Sequence, residues 1–413
     1  MKRSLYIALL TVVVLFTGCH PKPVNHLYDP RQVAFNANYN DLFDDILYPS
    51  MILAQSHYTG AEKNELFSIQ VTAPANNSVL RVVVDSSAFN YVTIVQEILP
   101  RRGERYTFVP SIKWKYDKLY HNRQQGAIDL TFTCYINDEE VDTKTLNLNV
   151  RSVNDCLLST KGKDGKTHDY RWLFMGYVNE EHPFIDSILT RILSEGIITT
   201  FTGYQKGAKQ VKEQVFAIWY YALNHGITYS SISCTANPSK RSTTQHIRFF
   251  DEVYNSRQAN CIDACVFFAS ILRKIGLKPV ILVEPCHAYL GYYTDKQKKA
   301  DLTLLETTIT GWVNFPTMDR QYAKDSTLRP DYEQKVKNHL SAKDYAKWTN
   351  GEMDYDEMKI ALARSLFDKA TKEQEENYRI NKKHFLDTNQ MGFQMLQVEE
   401  LRRVVQPISA QEF

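Results

Sequence analysis

The chain has 413 residues, 43% of them hydrophobic and 23% charged, a balance that excludes a disordered tail or a mini-protein and leaves apolar material for two or three packed units. Lys and Arg number 49 against 47 Asp and Glu, and no run of five like charges occurs, which excludes the basic footprint of a nucleic-acid binder. Aromatic residues, at 12%, follow no repeat period, so a solenoid is excluded as well.

At the N-terminus, Lys2 and Arg3 precede an apolar run from Ser4 to Phe16 that is too short to span a bilayer, and Phe16-Thr17-Gly18-Cys19 ends it in small residues before a cysteine. This is the pattern of an export signal. The placement of Cys19 resembles the lipobox of bacterial lipoproteins. That resemblance implies removal of residues 1–18, diacylation of Cys19, attachment to a membrane through the lipid, and a home in the bacterial cell envelope on a periplasmic or outer-membrane face. An ordinary secretory signal with an incidental Cys19 is the alternative. Removing residues 1–18 takes away Lys2 and Arg3 and no acid, so the mature chain is formally neutral.

Residues 19–60 are polar and rich in Asn and Tyr, and suit a tether followed by a docking segment. From there to residue 155 the period is two. Phe67, Ile69 and Val71 alternate with polar neighbours, as do Ile128, Leu130, Phe132, Cys134 and Ile136, and Leu146, Leu148 and Val150. Short strands between turns such as Ala75-Asn76-Asn77-Ser78 predict an Ig-like β-sandwich over 61–155. The loop Lys161–Lys166 marks a boundary near 156, after which helical spacing takes over. Phe184 to Leu193 and Val211 to Leu223 predict two helices, the second closed by Asn224-His225-Gly226. A further helix runs from Cys261 to Ile275 and stops at Gly276; short apolar strands follow at 280–283, 288–293 and 302–305. Beyond 320 the chain is highly charged, with helices expected around 333–347 and 353–380 and no visible chemistry.

The chemistry concentrates between 255 and 310. Cys261 stands where a polar loop enters an apolar helix, and a helix N-terminus favours the thiolate through its unpaired N–H groups and aligned dipoles. His287 opens a strand, and Glu306 closes the next one. If the loop Thr294–Lys299 is centred between 296 and 297, antiparallel pairing sets His287 directly opposite Glu306. A thiol, an imidazole and a carboxylate so placed are a nucleophile, a general base and an orienting group.

This stretch resembles the transglutaminase-like superfamily, whose core motif is a Cys opening a helix, an Arg and a Gly twelve and fifteen residues on, His-Ala-aromatic, and an acid followed by Thr. Cys261, Arg273, Gly276, His287-Ala288-Tyr289 and Glu306-Thr307 occupy those places, with Glu where the family usually has Asp. The resemblance covers about residues 170–312. It implies an α+β chain in which the sandwich precedes a papain-like, transglutaminase-like domain over 156–320, followed by a mostly helical extension over 321–413. It also implies thiol acyl transfer on a peptide or protein substrate without cofactor or metal. The backbone N–H of Cys261 is one candidate oxyanion donor, and the side chain of Gln258 or Asn260 is the candidate for the other.

Other readings compete for the same residues. Cys265 lies one turn along the helix and reads as core. Cys261, Cys265, Cys286 and His287 would make a Cys3His zinc set, without the usual C-x2-C spacing. Asp295 and Asp301 are alternative orienting acids. His225, Arg273 and Gly276 suit helix-end roles. Apart from Cys19, six cysteines remain, enough for three disulfides, but their spacing is not that of a disulfide framework. The rival to an enzyme is a catalytically inactive binding or assembly lipoprotein that keeps the fold.

Overall fold

Alternating side chains shape the first half of the chain, because successive residues of a strand face opposite sides of a sheet. The computed structural model describes residues 33–57, 65–231, 239–299, 302–387 and 392–408. The export segment, Cys19, Cys234 and Asp301 lie outside the described residues.

Strands β1 (Phe35–Tyr39) and β2 (Ile46–Leu47) and helix α1 (Pro49–Ala54) come first. Then follow β3 (Phe67–Thr72), β4 (Ser78–Val84), β5 (Thr93–Leu99), β6 (Arg105–Phe108), α2 (Tyr116–Tyr120), β7 (Gly126–Ile136) and β8 (Glu139–Val150). They form a three-stranded sheet, β1-β3-β6, and a five-stranded sheet, β2-β8-β7-β4-β5. The inward residues of the first, among them Phe67, Ile69 and Val71, share one core with Leu80, Val82, Leu130 and Phe132 of the second. The Phe67 and Phe132 rings lie 6.1 Å apart.

Residues 33–57 lie within the stretch expected to be a tether followed by a docking segment. Phe35, Ala37 and Tyr39 alternate inward so that β1 pairs with β3, β2 pairs with β8, and all six residues of α1 are buried. Through β1 and β2, the described part of 19–60 joins both sheets.

The chain continues through β9 (Asp155–Lys161) and β10 (Thr167–Asp169), whose connecting turn is the Lys161–Lys166 stretch expected to be a boundary. Helices α3 (Phe184–Ser194) and α4 (Gly207–Asn224) keep the predicted spacing. Next come β11 (Thr228–Tyr229), β12 (Ser242–His246), α5 (Phe250–Ser256), β13 (Gln258–Ala259) and α6 (Cys261–Lys274). Helix α6 ends at Gly276, whose φ of +79° is a conformation that costs side-chain-bearing residues more. Strands β14 (Pro279–Glu284), β15 (His287–Tyr293) and β16 (Leu302–Leu305) follow.

Past residue 306 lie α7 (Phe315–Asp325), α8 (Pro330–His339), α9 (Ala342–Thr349), α10 (Tyr355–Leu386), β17 (Gln394–Gln397) and α11 (Val398–Leu401). The single helix expected near 333–347 is two, because the Ser341 hydroxyl accepts from Asp344 N at 3.0 Å and starts a new helix. Strand β17, which the charge pattern did not announce, pairs with β14 and completes the antiparallel sheet β16-β15-β14-β17. Helix α6 packs on β14 and β15, and α10 packs on β16 and α4. The chain is thus a mixed α+β structure in which β17, far along the chain, shares a sheet with the segment that holds the candidate site. Among the described residues, no helix is long and apolar enough to cross a membrane.

Candidate active site

Asn260 fixes where α6 begins. Its Oδ1 accepts from Asp263 N at 2.9 Å, while the Asp263 carboxylate accepts from Asn260 N at 3.0 Å, a reciprocal capping box. Asp263 is fully buried and also accepts from Arg248 N and Arg248 Nη1, each at 2.8 Å. Burial raises the Asp263 pKa against the pull of those bonds. Cys261 is thereby held as the first residue of a rigid, buried helix, and its side chain is partly exposed.

A two-residue turn, Pro285-Cys286, joins β14 to β15, and Cys286 adopts a left-handed φ of +64° within it. His287 therefore starts β15 at the tip of a hairpin. Its Nε2 donates to Glu306 Oε2 at 2.7 Å, and the Cys261 thiol stands near enough to the same imidazole to favour its charged form. With Nε2 committed to the carboxylate, Nδ1 is the nitrogen left for the thiol.

The register behind this contact differs from the expected one. Leu290 pairs with Leu305 and Tyr293 with Leu302, a two-residue slip that puts Glu306 beyond the last pair of β16. A slip of two keeps side chains on the same face, so His287 and Glu306 meet diagonally rather than directly across. Glu306 also caps the 3-10 turn Thr307–Gly311: its Oε1 accepts from Thr308 N at 2.9 Å and from Thr308 Oγ1 at 2.7 Å. A fourth donor, Gln374 Nε2 of α10, reaches Glu306 Oε2.

Charge follows from these contacts. Burial opposes the positive form of His287, but the influence of Cys261 and the hydrogen bond to Glu306 outweigh that and push its pKa up to about 10. Burial likewise opposes the Glu306 carboxylate, and the bonds from His287 and Thr308 more than offset it, so its pKa falls below the ordinary carboxylate range.

The competing readings separate here. Cys265 is fully buried with its sulfur 3.9 Å from Thr307 Oγ1, and burial pushes its pKa well up, as suits core. Cys286 is exposed, and among the described residues no group of three or more His, Cys, Asp or Glu side chains could hold a metal ion, so the four-residue zinc set does not assemble. Cys134, Cys156, Cys261, Cys265 and Cys286 are all free thiols. Asp295 caps its own loop, accepting from Gln297 N and Lys299 N, instead of orienting His287. His225 ends α4 and bonds Glu195 at 3.0 Å; Arg273 pairs with Glu180 at 2.7 Å.

Of the two oxyanion candidates, Asn260 spends its Oδ1 on the helix cap, and its Nδ2 is shielded from solvent without a partner. Gln258 is half-buried on β13, which runs parallel to β11. The supports that sequence reasoning missed are Arg248, Asp263 and Gln374. Asp263 had a visible signal, the Asn-x-x-Asp spacing of a capping box, whereas Gln374 showed only a polar break in an apolar period, which names no partner.

The chain matches no family model and no curated protein. Its functional assignment therefore rests on its own geometry.

Proposed function

We propose that the chain is an exported, lipid-anchored thiol hydrolase of the bacterial cell envelope, in which an Ig-like sandwich precedes a transglutaminase-like, papain-like domain. The observation that carries this is the meeting of Cys261, His287 and Glu306 from a helix start, a hairpin tip and a strand end. In the reaction, Cys261 Sγ attacks a peptide or amide carbonyl carbon while its proton resides on His287. The imidazolium then protonates the departing amine, leaving a thioester on Cys261. Water, deprotonated by His287, attacks the thioester carbonyl and restores the thiol. An amine in place of water would give transamidation. Glu306 keeps the imidazole turned to the thiol and balances its positive charge. Backbone N–H groups of the first turn of α6, beside Cys261, are the candidate donors for the developing oxyanion.

A free, partly exposed Cys261 supports catalysis over the inactive-scaffold alternative, which predicts an occluded or disulfide-bonded thiol. The test is the rate of iodoacetamide labelling of Cys261 between about pH 4 and 9, read by peptide mass spectrometry in the folded protein and in His287→Ala. Fast labelling well below the free-thiol pKa of ~8.5, slowed in the variant, supports the reading. Labelling that follows an ordinary thiol titration in both proteins overturns it.

A further inference from the structure

Helix α10 aims a stripe of side chains at the site from a part of the sequence more than sixty residues past Glu306. Ala370, Gln374, Asn377 and Asn381 recur at helical spacing, so they share one face. The backbone N–H of Glu306 donates to Ala370 O at 3.3 Å, and Gln374 Nε2 donates to Glu306 Oε2, the oxygen that also accepts from His287. Asn377 Nδ2 donates to Gln374 Oε1 at 3.2 Å and to the two Glu284 oxygens at 3.1 and 3.2 Å. Asn381 Nδ2 in turn donates to Asn377 Oδ1 at 2.9 Å.

The orientation of each amide in this relay is determined by its ends. Ionised Glu306 and Glu284 only accept, so both amides must turn their NH2 groups toward them. Gln374 then presents its oxygen to Asn377, which is the contact observed. Glu284 pairs with His287 across the β14–β15 hairpin, so one helix face braces both the carboxylate and the hairpin that carries the imidazole. Gln374 is 7% exposed, which excludes water as a ready substitute donor.

We propose that Gln374 is a positioning residue of the Cys261–His287–Glu306 site, donating to Glu306 so that the carboxylate stays anionic and turned toward His287, with Asn377 setting the orientation of its amide. This deepens the proposed hydrolase reading and rests on it for its catalytic meaning. The contact itself makes a prediction that holds whether or not the site is catalytic. Hydrogen bonds to a carboxylate favour its ionised form, and a second carboxylate beside it does the opposite.

The test uses the full chain with 13Cε1-labelled histidine, following the His287 line by NMR from about pH 2 to 11. Loss of one line in His287→Gln assigns it, and loss of its acid-side inflection in Glu306→Gln assigns that inflection to Glu306. In Gln374→Met, of similar shape but without a donor, the inflection moves up by about one pH unit; in the isosteric Gln374→Glu it moves up further. Asn377→Leu, which frees the Gln374 amide, gives a smaller shift in the same direction. Variants that melt cooperatively with an unmoved inflection overturn the proposal, as does wild-type protein with no acid-side inflection. Cys261 labelling that ignores His287 sinks the hydrolase reading alone, because the histidine titration still reports what Gln374 does to Glu306.

Discussion

Helices α6 and α10 both lie on the sheet that carries His287, yet they serve the site by different chemistry. Helix α6 is buried almost all round, and its contribution is an end: Cys261 stands at its first turn, where backbone donors are unpaired. Helix α10 buries a stripe through Met358, Leu362, Leu366 and Ala370, and its contribution is a change of chemistry along that stripe. At the next position of the same spacing the apolar series gives way to Gln374, where the helix passes Glu306. A polar residue that interrupts an apolar period without breaking it marks the place where a helix stops serving the core and begins serving a charged neighbour.

Removing the end of α6 as a chemical group is the strongest way to test this division. Cys261→Ala abolishes site-specific alkylation and lowers hydrolysis of any substrate found to the uncatalysed background, while the Asn260–Asp263 cap keeps the helix folded. Turnover persisting in that variant, measured on purified protein, would place the chemistry elsewhere.

The packing of α10 ranks next. Phe367 is buried with its ring 5.6 Å from Phe216 and 5.8 Å from Trp219, both on α4. Phe367→Ala should cost about 3–5 kcal/mol in denaturant unfolding. It should also weaken the His287 dependence of Cys261 labelling, since α10 positions Gln374. A destabilised variant whose labelling is unchanged would separate the helix from the site.

Protonation distinguishes the two contributions through pH. The His287 pKa of about 10 lies above its unfolded value near 6.5, so the stabilisation it brings is full below about pH 6.5 and fades as pH rises through about 10. Glu306 is shifted the other way: its stabilisation is present above about pH 4.3 and is lost as pH falls through its lowered native value. The stability difference between wild type and His287→Gln, from denaturant titrations, is therefore largest near pH 6 and shrinks toward pH 10. A difference independent of pH across that range contradicts the ion pair.

The smallest effect concerns the hairpin tip. Cys286 is exposed and left-handed at φ +64°, a conformation that glycine adopts with less strain. Cys286→Gly should raise stability by about 0.5 kcal/mol and leave Cys261 labelling unaltered. A loss of labelling would show that the side chain, and not only the turn, matters to His287.

Much of this site was legible in the chain. The apolar helix from Cys261 to Gly276 and the strands bearing His287 and Glu306 follow from local periodicity, which is read within one element, whereas Asn260 was read as a candidate oxyanion donor and not as the helix cap. The two-residue slip between β15 and β16 was not legible, because the length of the connecting loop does not fix where its turn is centred. The strands within residues 33–57, a stretch expected only to tether and dock, were not read, since β1 and β2 are short and the Asn and Tyr of β1 read as loop. Strand β17 was hidden for a related reason: its four residues, Gln394–Gln397, gain their meaning only as an edge added to β14.

The sequence by itself determined which residue types stand at helix starts and strand ends, because propensity, capping and hydrophobic period act over a few residues. Only the tertiary structure decided that Gln374 touches Glu306, since they are 68 positions apart and a polar interruption of the apolar period does not name the group it will meet. Contacts of that kind are selected by the packing of whole elements against one another. Here, the apolar stripe that seats α10 on α4 and β16 also sets which of its polar residues faces a buried carboxylate.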